Sequence, residues 1–437
     1  MHAGMRIVLV TNGSRGDTEP YAALGAGLRG RGHDVRLVAS KTYAGLADDA
    51  RIDFLPLDVD IPEQFGGTEG RRWLGAGGGT IASVRGFRKF ITPMAERFMA
   101  ATREACADAD AVLFSHTGAA AYHAAEERGV PACAAEVLPR LPTGDYPSHL
   151  VPGRRSLGRL GNRLSHTVAN QMMWRMRRPG VNEWRTADLG LAPLPWLAGQ
   201  ARSMARDRLP RLCGYSTAVV PRPRDWPRYA QITGYWFLDG VPERRPSDEL
   251  ARFVEAGPPP VYVGFGSMVM PDPAATAQTV RTALRRVGAR GVLLGDPAVV
   301  PSSDDLLVVD HAPHDWLFPR TRAVVHHGGA GTTAAGLRAG VPNVIFPFFA
   351  DQPFWGARVH SLGAGPRPVP FKDLTADALE DAVERVVTDR SMSSAAARIG
   401  ERIRAENGVQ VACDLLEGWL AGDPPAPGRR RRRTFGL

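Results

Sequence analysis

The sequence predicts an α/β protein made of two Rossmann-like domains, and three observations carry this. Residues 6–10, 11–20, 21–28 and 34–39 read as strand, loop, helix and strand, the opening of a parallel βαβ sheet. Residues 261–268 repeat that opening, an apolar run ending in a Gly-Ser turn, and start a second series of strands and helices. A chain of 437 residues has the length of two ordinary domains. The expected boundaries are 1–230 for the first domain, 231–257 for a linker and 258–408 for the second domain. A last helix over 409–421 and a disordered basic tail over 422–437 follow.

Composition narrows the class. No run of about 18 or more apolar residues occurs, so no transmembrane helix is expected. Met1 leads straight into a strand without an apolar signal core, which points to a cytoplasmic protein. Cys106, Cys133, Cys213 and Cys413 are scattered without metal or redox spacing and read as free buried thiols. Arg429 to Arg433 supply five of the nine net positive charges. This run reads as a solvated appendage, with weak association to an anionic membrane as the alternative. No aromatic–basic interleaving accompanies it, so no nucleic-acid partner is expected.

In the first half, the run 6–10 is apolar throughout, as a strand buried on both faces must be. The loop after it holds Gly13, Ser14, Gly16 and Asp17 at the carboxyl end of a parallel strand, where open α/β sheets bind ligands. Gly13, Ser14 and Gly16 can present backbone N–H groups there, and Asp17 is also a natural cap for the helix that follows. Residues 61–85 are rich in glycine and read as a loop near a binding entrance. Residues 93–107 read as an amphipathic helix, 111–115 as a strand ending at His116, and 132–136 as another strand. The pairs Asp58/Asp60 and Asp108/Asp110 have a spacing that can hold a metal, but their context suggests solvated loop charges. Residues 157–177 read as a helix on which Met172, Met173 and Trp174 are candidates to line an apolar acceptor pocket, with core packing as the rival reading. Residues 232–246 carry the prolines and charges of a crossing between domains.

In the second half, strands are expected at 261–265, 291–294 and 306–309, with a helix over 274–287. The densest signal is 323–339: an apolar run, a turn of small residues through His327, Gly328, Gly329 and Gly331, then a helix. Unpaired N–H groups and the helix dipole make such a turn an anion site. Its glycines let a phosphate approach the backbone. Thr332 and Thr333 can cap the helix and donate hydroxyls, and His327 can donate to a phosphate oxygen. His326 and His327 are not expected to share a metal, because neighbours on a strand point to opposite faces. The next strand, 343–347, ends in a loop with Asp351 and Gln352, whose carboxylate and amide suit the vicinal hydroxyls of a sugar. Helices over 375–388, 393–405 and 409–420 close the chain.

The runs 314–319, 326–333, 337–342 and 347–352, together with Gly13-Ser14-Arg15-Gly16-Asp17 and Pro20, resemble the nucleotide-sugar glycosyltransferases of the GT-B fold. The likeness is to the sterol glucosyltransferase-like branch and to the bacterial enzymes that glycosylate macrolide and glycopeptide antibiotics. It implies two Rossmann-like domains facing across a cleft, with the last helix returning to the first domain. It implies that Asp17 is the acceptor's base and that His116 is a second base or base-orienter. Gly266 and Ser267 would contact the donor diphosphate, and His311 and Trp316 the nucleobase. The implied reaction is inverting, metal-independent transfer of a hexose from UDP-glucose or a dTDP-deoxysugar to a lipophilic hydroxyl compound, in antibiotic or other secondary metabolism. No cofactor is expected beyond that co-substrate. An epimerase or phosphorylase of the same fold, and a non-catalytic binder acting through the basic tail, are the alternatives.

Overall fold

The computed structural model describes residues 4–57, 94–151, 156–240, 245–266, 268, 270 and 272–422. The glycine-rich stretch 61–85, Asp58 and Asp60, Ser267 and the arginine run lie outside these residues.

Two parallel sheets organise the molecule. The first has seven strands: β1 (Arg6–Val10), β2 (Asp34–Ser40), β3 (Asp53–Leu57), β4 (Ala111–Phe114), β5 (Ala132–Glu136), β6 (Arg211–Cys213) and β7 (Ala230–Ile232). Their spatial order is β3-β2-β1-β4-β5-β6-β7. The second has β8 (Val261–Gly264), β9 (Gly291–Leu294), β10 (Leu306–Val309), β11 (Ala323–His326) and β12 (Asn343–Ile345), ordered β10-β9-β8-β11-β12. In each sheet the strand order reverses beside the first strand, between β1 and β4 and between β8 and β11. The crevice outside the carboxyl ends at such a reversal is where this architecture holds ligands. It brings the loops after β1, β4, β8 and β11 together.

The central strands β1, β4, β8 and β11 are largely apolar and buried because helices cover both faces. In β1, Ile7 and Leu9 join one core while Val8 and Val10 join another across the sheet. In β8, Val261 and Val263 are separated from Tyr262 in the same way. The last helix, Gly408–Ala421, packs on the first, Arg15–Gly30. A Cβ on Gly27 would stand 2.4 Å from Val409 Cγ1, so this approach needs glycine there. Arg31 adds ion pairs to Asp414 at 2.5 Å and Glu417 at 2.7 Å.

Three elements depart from expectation. The first helix starts at Arg15 rather than 21, because Ser14 and Asp17 begin it and Pro20 costs it only one backbone bond. The helix Gly158–Ala187 runs ten residues beyond 177 and contains Pro179. The stretch 231–257 is only partly a linker. Ser247 caps a helix, Asp248–Glu255, by accepting from Leu250 N at 3.2 Å, and that helix buries Leu250 and Val254 against the second domain. Among the described residues no helix is long and apolar enough to cross a membrane.

Candidate active site

A cleft of about 2310 Å³ opens between the two sheets. Ordinary small-molecule pockets measure about 300–1,000 Å³, so this one has room for two substrates side by side. Gly13, Ser14, Asp17 and Thr117 line it from the first domain. Gly266, His311, His327, Gly329, Gly331, Thr332, Asp351 and Gln352 line it from the second.

The turn after β11 is built around a buried histidine. His326 Nδ1 accepts from Gly328 N at 3.1 Å, so its proton sits on Nε2, which donates to Asn343 Oδ1 at 2.9 Å. Asn343 Nδ2 donates in turn to Val341 O at 2.8 Å. Burial pushes the His326 imidazole down to about 3, so it stays neutral. This pair bolts the turn to β12, and the sequence reading missed it. Its only trace in the sequence is an asparagine where an apolar strand begins. Replacing His326 by alanine strands Gly328 N–H and Asn343 and is expected to cost about 1–3 kcal/mol, read as a lower urea midpoint.

Glycine roles in the turn differ from position to position. Gly328 does not line the cleft, contrary to expectation. It adopts φ 88°, and a Cβ there would meet Ile345 Cγ2 at 2.7 Å and Gln352 O at 3.0 Å. Gly329 faces the cleft, and its Cβ would lie 2.5 Å from His327 Nε2. Gly266, at φ 61°, leaves space beside the same ring, where a Cβ would lie 2.9 Å from Cε1. The His327 imidazole is thus seated between two glycines, and burial pushes it down to about 4. Its Nδ1 is buried without a partner.

The helix Ala330–Ala339 begins at Gly329, earlier than the threonines. Neither threonine caps it. Thr333 Oγ1 donates back to Gly329 O at 2.9 Å, and Thr332 stands in the first turn, open to the cleft. The first N–H groups of this helix have no partner within it. This helix start lies against the start of the helix Arg15–Gly30, since a Cβ on Gly331 would lie 3.4 Å from Gly16 Cα. Two helix N-termini, one from each domain, therefore meet across the cleft and add their positive ends.

Asp17 is the third residue of its helix. Its Oδ2 accepts from Ser14 N at 2.9 Å and from Ser14 Oγ at 2.8 Å. The capping role and the base role thus fall on one carboxylate, with Oδ1 left over. The Ser14 N–H is committed to Asp17 and is not free for a phosphate. Gly13, at φ 141°, is required because a Cβ would lie 2.6 Å from Asp17 Oδ2. Burial raises the Asp17 carboxyl above its ordinary range.

Across the cleft, Asp351 Oδ2 accepts from Trp355 Nε1 at 2.8 Å. Burial, and then the charge of Asp17, push the Asp351 carboxyl up to about 6. Gln352 is less versatile than expected. Its Oε1 already accepts from Phe348 N at 2.8 Å and Phe349 N at 3.3 Å, which leaves it only donors for a ligand.

His311 lines the cleft but Trp316 does not. That ring packs beside the core of the second domain, and the Arg320 guanidinium lies 4.6 Å over it. His314, missed from the sequence, lines the cleft instead, stacked on Phe318 at 4.2 Å. His116, two residues beyond β4, does not line the cleft as its neighbour Thr117 does, and its Nδ1 is buried and unpartnered. Met172, Met173 and Trp174 do not line the cleft. Trp174 is a structural clamp that donates to Pro195 O at 3.0 Å, pressed on Gly199, and Met172 lies 56% exposed on the outer face. Asp108 and Asp110 are exposed loop charges at the far end of β1, where they hold Arg6 and Arg36. Among the described residues no group of three His, Cys, Asp or Glu is placed to hold a metal ion.

Comparison with known proteins gives a consistent picture. Residues 7–147 match the glycosyltransferase family 28 N-terminal domain, and residues 294–416 match the erythromycin biosynthesis protein CIII-like C-terminal domain. The chain is 38% identical over 429 residues to the O-mycaminosyltylonolide 6-deoxyallosyltransferase of Streptomyces fradiae, covering 95% of this chain and 97% of that one. It is 35% identical over 422 residues to a sterol 3-beta-glucosyltransferase of Arabidopsis thaliana, covering 93% of this chain and 64% of that longer one. The crystal structure of a calicheamicin glycosyltransferase has the same fold, with a TM-score of 0.69 at 17% identity over 97% of this chain and all of that one (100%).

Proposed function

Because the chain belongs to the GT-B glycosyltransferases of the antibiotic and sterol type, we propose that it transfers a hexose from a pyrimidine nucleoside diphosphate sugar to a hydroxyl of a lipophilic natural product, with inversion and without a metal. The observation that carries this is the meeting of the two helix N-termini at Gly16 and Gly331, with Asp17 on one and His327 beside the other. Asp17 Oδ1 takes the proton of the acceptor hydroxyl as its oxygen attacks the anomeric carbon. The bond from that carbon to the diphosphate breaks on the opposite face, so configuration inverts. The charge that develops on the diphosphate is met by the N–H groups of the first turn, the neutral His327 ring and the Thr332 hydroxyl. Asp351 accepts from sugar hydroxyls and Gln352 donates to them. His311 and His314 flank the base. Closure of the cleft keeps water from the anomeric carbon.

A thermal-shift panel of UDP-, dTDP- and GDP-sugars tests the donor. Ligand at 100 times its Kd stabilises by about 2.7 kcal/mol, so UDP-glucose or a dTDP-sugar should raise the melting temperature and a GDP-sugar should not. An equal shift with all three, or with none, removes the donor assignment. Acid adds a second test. Asp351 loses its charge as pH falls through about 6, so the KM for donor should rise below that pH. In Asp351→Asn, KM is high at all pH and this dependence is gone.

A further inference from the structure

The helix Gly158–Ala187 is amphipathic with its faces exchanged. Its buried side chains are Asn162, His166, Trp174, Trp184 and Arg185. The polar ones are tied to the protein beneath. Asn162 Nδ2 donates to Gly144 O at 2.8 Å, His166 Nε2 to Tyr146 O at 3.2 Å, and Arg185 Nη1 to Glu126 Oε2 at 2.9 Å. Outward stand Leu160, Leu164, Val168, Met172 and Met176, exposed by 86% at Leu160 and still by 51% at Met176. A helix on the surface of a soluble domain ordinarily does the reverse. Four-residue spacing sets successive members about 40° apart, so the five form one ridge about 24 Å long.

Two features flank the ridge. Arg159, Arg163 and Arg175 each precede a ridge residue by one, so they share one side of it, in a parallel row with Thr167 and Gln171. Gln171 straps a later segment to that row: its Nε2 donates to Trp196 O at 2.9 Å and its Oε1 accepts from Ala198 N at 2.8 Å. The Arg175 guanidinium lies 4.2 Å over the Trp196 ring, and Trp196 and Leu197 are themselves exposed. With Leu157 before the helix, eight of the twelve exposed large apolar side chains among the described residues gather here, which makes a patch rather than scatter.

Charge selects what covers this patch. Between Gly158 and Asn182 the helix carries five arginines and no acid. Arg159 and Arg163 reach carboxylates only loosely, Asp145 at 4.0 Å and Asp225 at 3.5 Å, and stay mostly exposed. A second copy of the chain would bring two such arginine rows into one interface, where like charges repel. The ridge itself offers a protein partner no hydrogen-bonding pattern to read. A fluid anionic bilayer meets every feature: apolar side chains enter the acyl boundary, arginines reach the phosphates, and the tryptophan sits at headgroup level.

We propose that this face of the helix Gly158–Ala187 docks on an anionic lipid bilayer, with the helix lying along the surface, the apolar ridge inserted and the arginine row on lipid phosphates. This contact is independent of the transferase reading.

Co-sedimentation of the full chain with vesicles tests it. The chain should bind vesicles of equal parts phosphatidylcholine and phosphatidylglycerol, and phosphatidylcholine alone about tenfold or more weakly. Leu164→Ser/Met172→Ser should lower the partition onto the anionic vesicles about tenfold or more, and Arg159→Gln/Arg163→Gln by a similar factor. All four positions are exposed, so the melting temperature should stay that of the wild type. Equal binding to the two kinds of vesicle, or binding to neither, overturns the proposal. So does binding that survives in either double variant; survival in both would assign it to the C-terminal arginine run, which every variant keeps. A wild-type dimer that Leu164→Ser/Met172→Ser dissociates in sedimentation would give the face to a second copy. A fall in melting temperature in that variant would give it to another part of this chain. Either result overturns the proposal.

Discussion

Replacing Asp17 by asparagine is expected to lower kcat by about 10²–10⁴-fold, the usual worth of a positioned general base, while UDP or dTDP binds as before. Asparagine is the informative substitution because Asp17 has two jobs. Its Oδ2 closes the start of the first helix through Ser14 N and Ser14 Oγ. An amide oxygen can accept both of those bonds, so the helix and the loop at Gly13 keep their shape. What the amide cannot do is take a proton. Alanine would remove both functions and add about 1 kcal/mol of lost capping, which would blur the result. The wild-type profile should carry the mark of the same group. Burial raises the Asp17 carboxyl, so its active, ionised form is lost on the acid side at a higher pH than for an exposed aspartate. In Asp351→Asn the donor's own acid dependence is gone, and the acid limb that remains belongs to Asp17. Turnover unchanged in Asp17→Asn would remove this residue from the mechanism.

What the sequence made legible, and what it did not, follows from the range of the interactions. Strands β1, β4, β8 and β11 were readable because a parallel strand covered on both faces is one continuous apolar run. The glycine turn after β11 was readable because strand, small residues and helix follow each other directly in the chain. The support of that turn was not. The bond from His326 to Asn343 depends on β11 and β12 lying side by side, with Val324 opposite Asn343, across seventeen residues of chain. The roles of single glycines were equally hidden. Gly328 and Gly329 are neighbours, yet one packs against Gln352 and the other makes room for His327. Trp174 and Trp316 misled for another reason. An aromatic ring on an amphipathic helix has the same pattern whether it meets a ligand or the next helix, and both of these meet protein. Asp17 was ambiguous between cap and base because the two readings are both satisfied by one carboxylate.

The seat of His327 yields the second large effect. A methyl group on Gly329 would have to occupy a point 2.5 Å from His327 Nε2, well inside contact distance. The ring has to give way, and Gly266, which carries no side chain where a Cβ would stand 2.9 Å from Cε1, leaves it the room to shift. Gly329→Ala must therefore move the imidazole or the turn, and either change takes a donor away from the leaving diphosphate. The loss expected in kcat is about 10²–10³-fold, the worth of one preorganised donor at a developing charge. His327→Ala removes the same donor without crowding and should lose a similar amount. If both act through that one imidazole, the double variant should be no slower than the worse single variant, a strongly non-additive result. Additive losses would mean that Gly329 acts independently, by letting the phosphate reach the backbone. Stability separates the two routes as well. Gly329 has φ −61°, which alanine adopts without strain, so Gly329→Ala should leave the urea midpoint nearly unchanged while turnover falls. A drop in stability as large as that expected for His326→Ala would instead show that the turn itself had come apart.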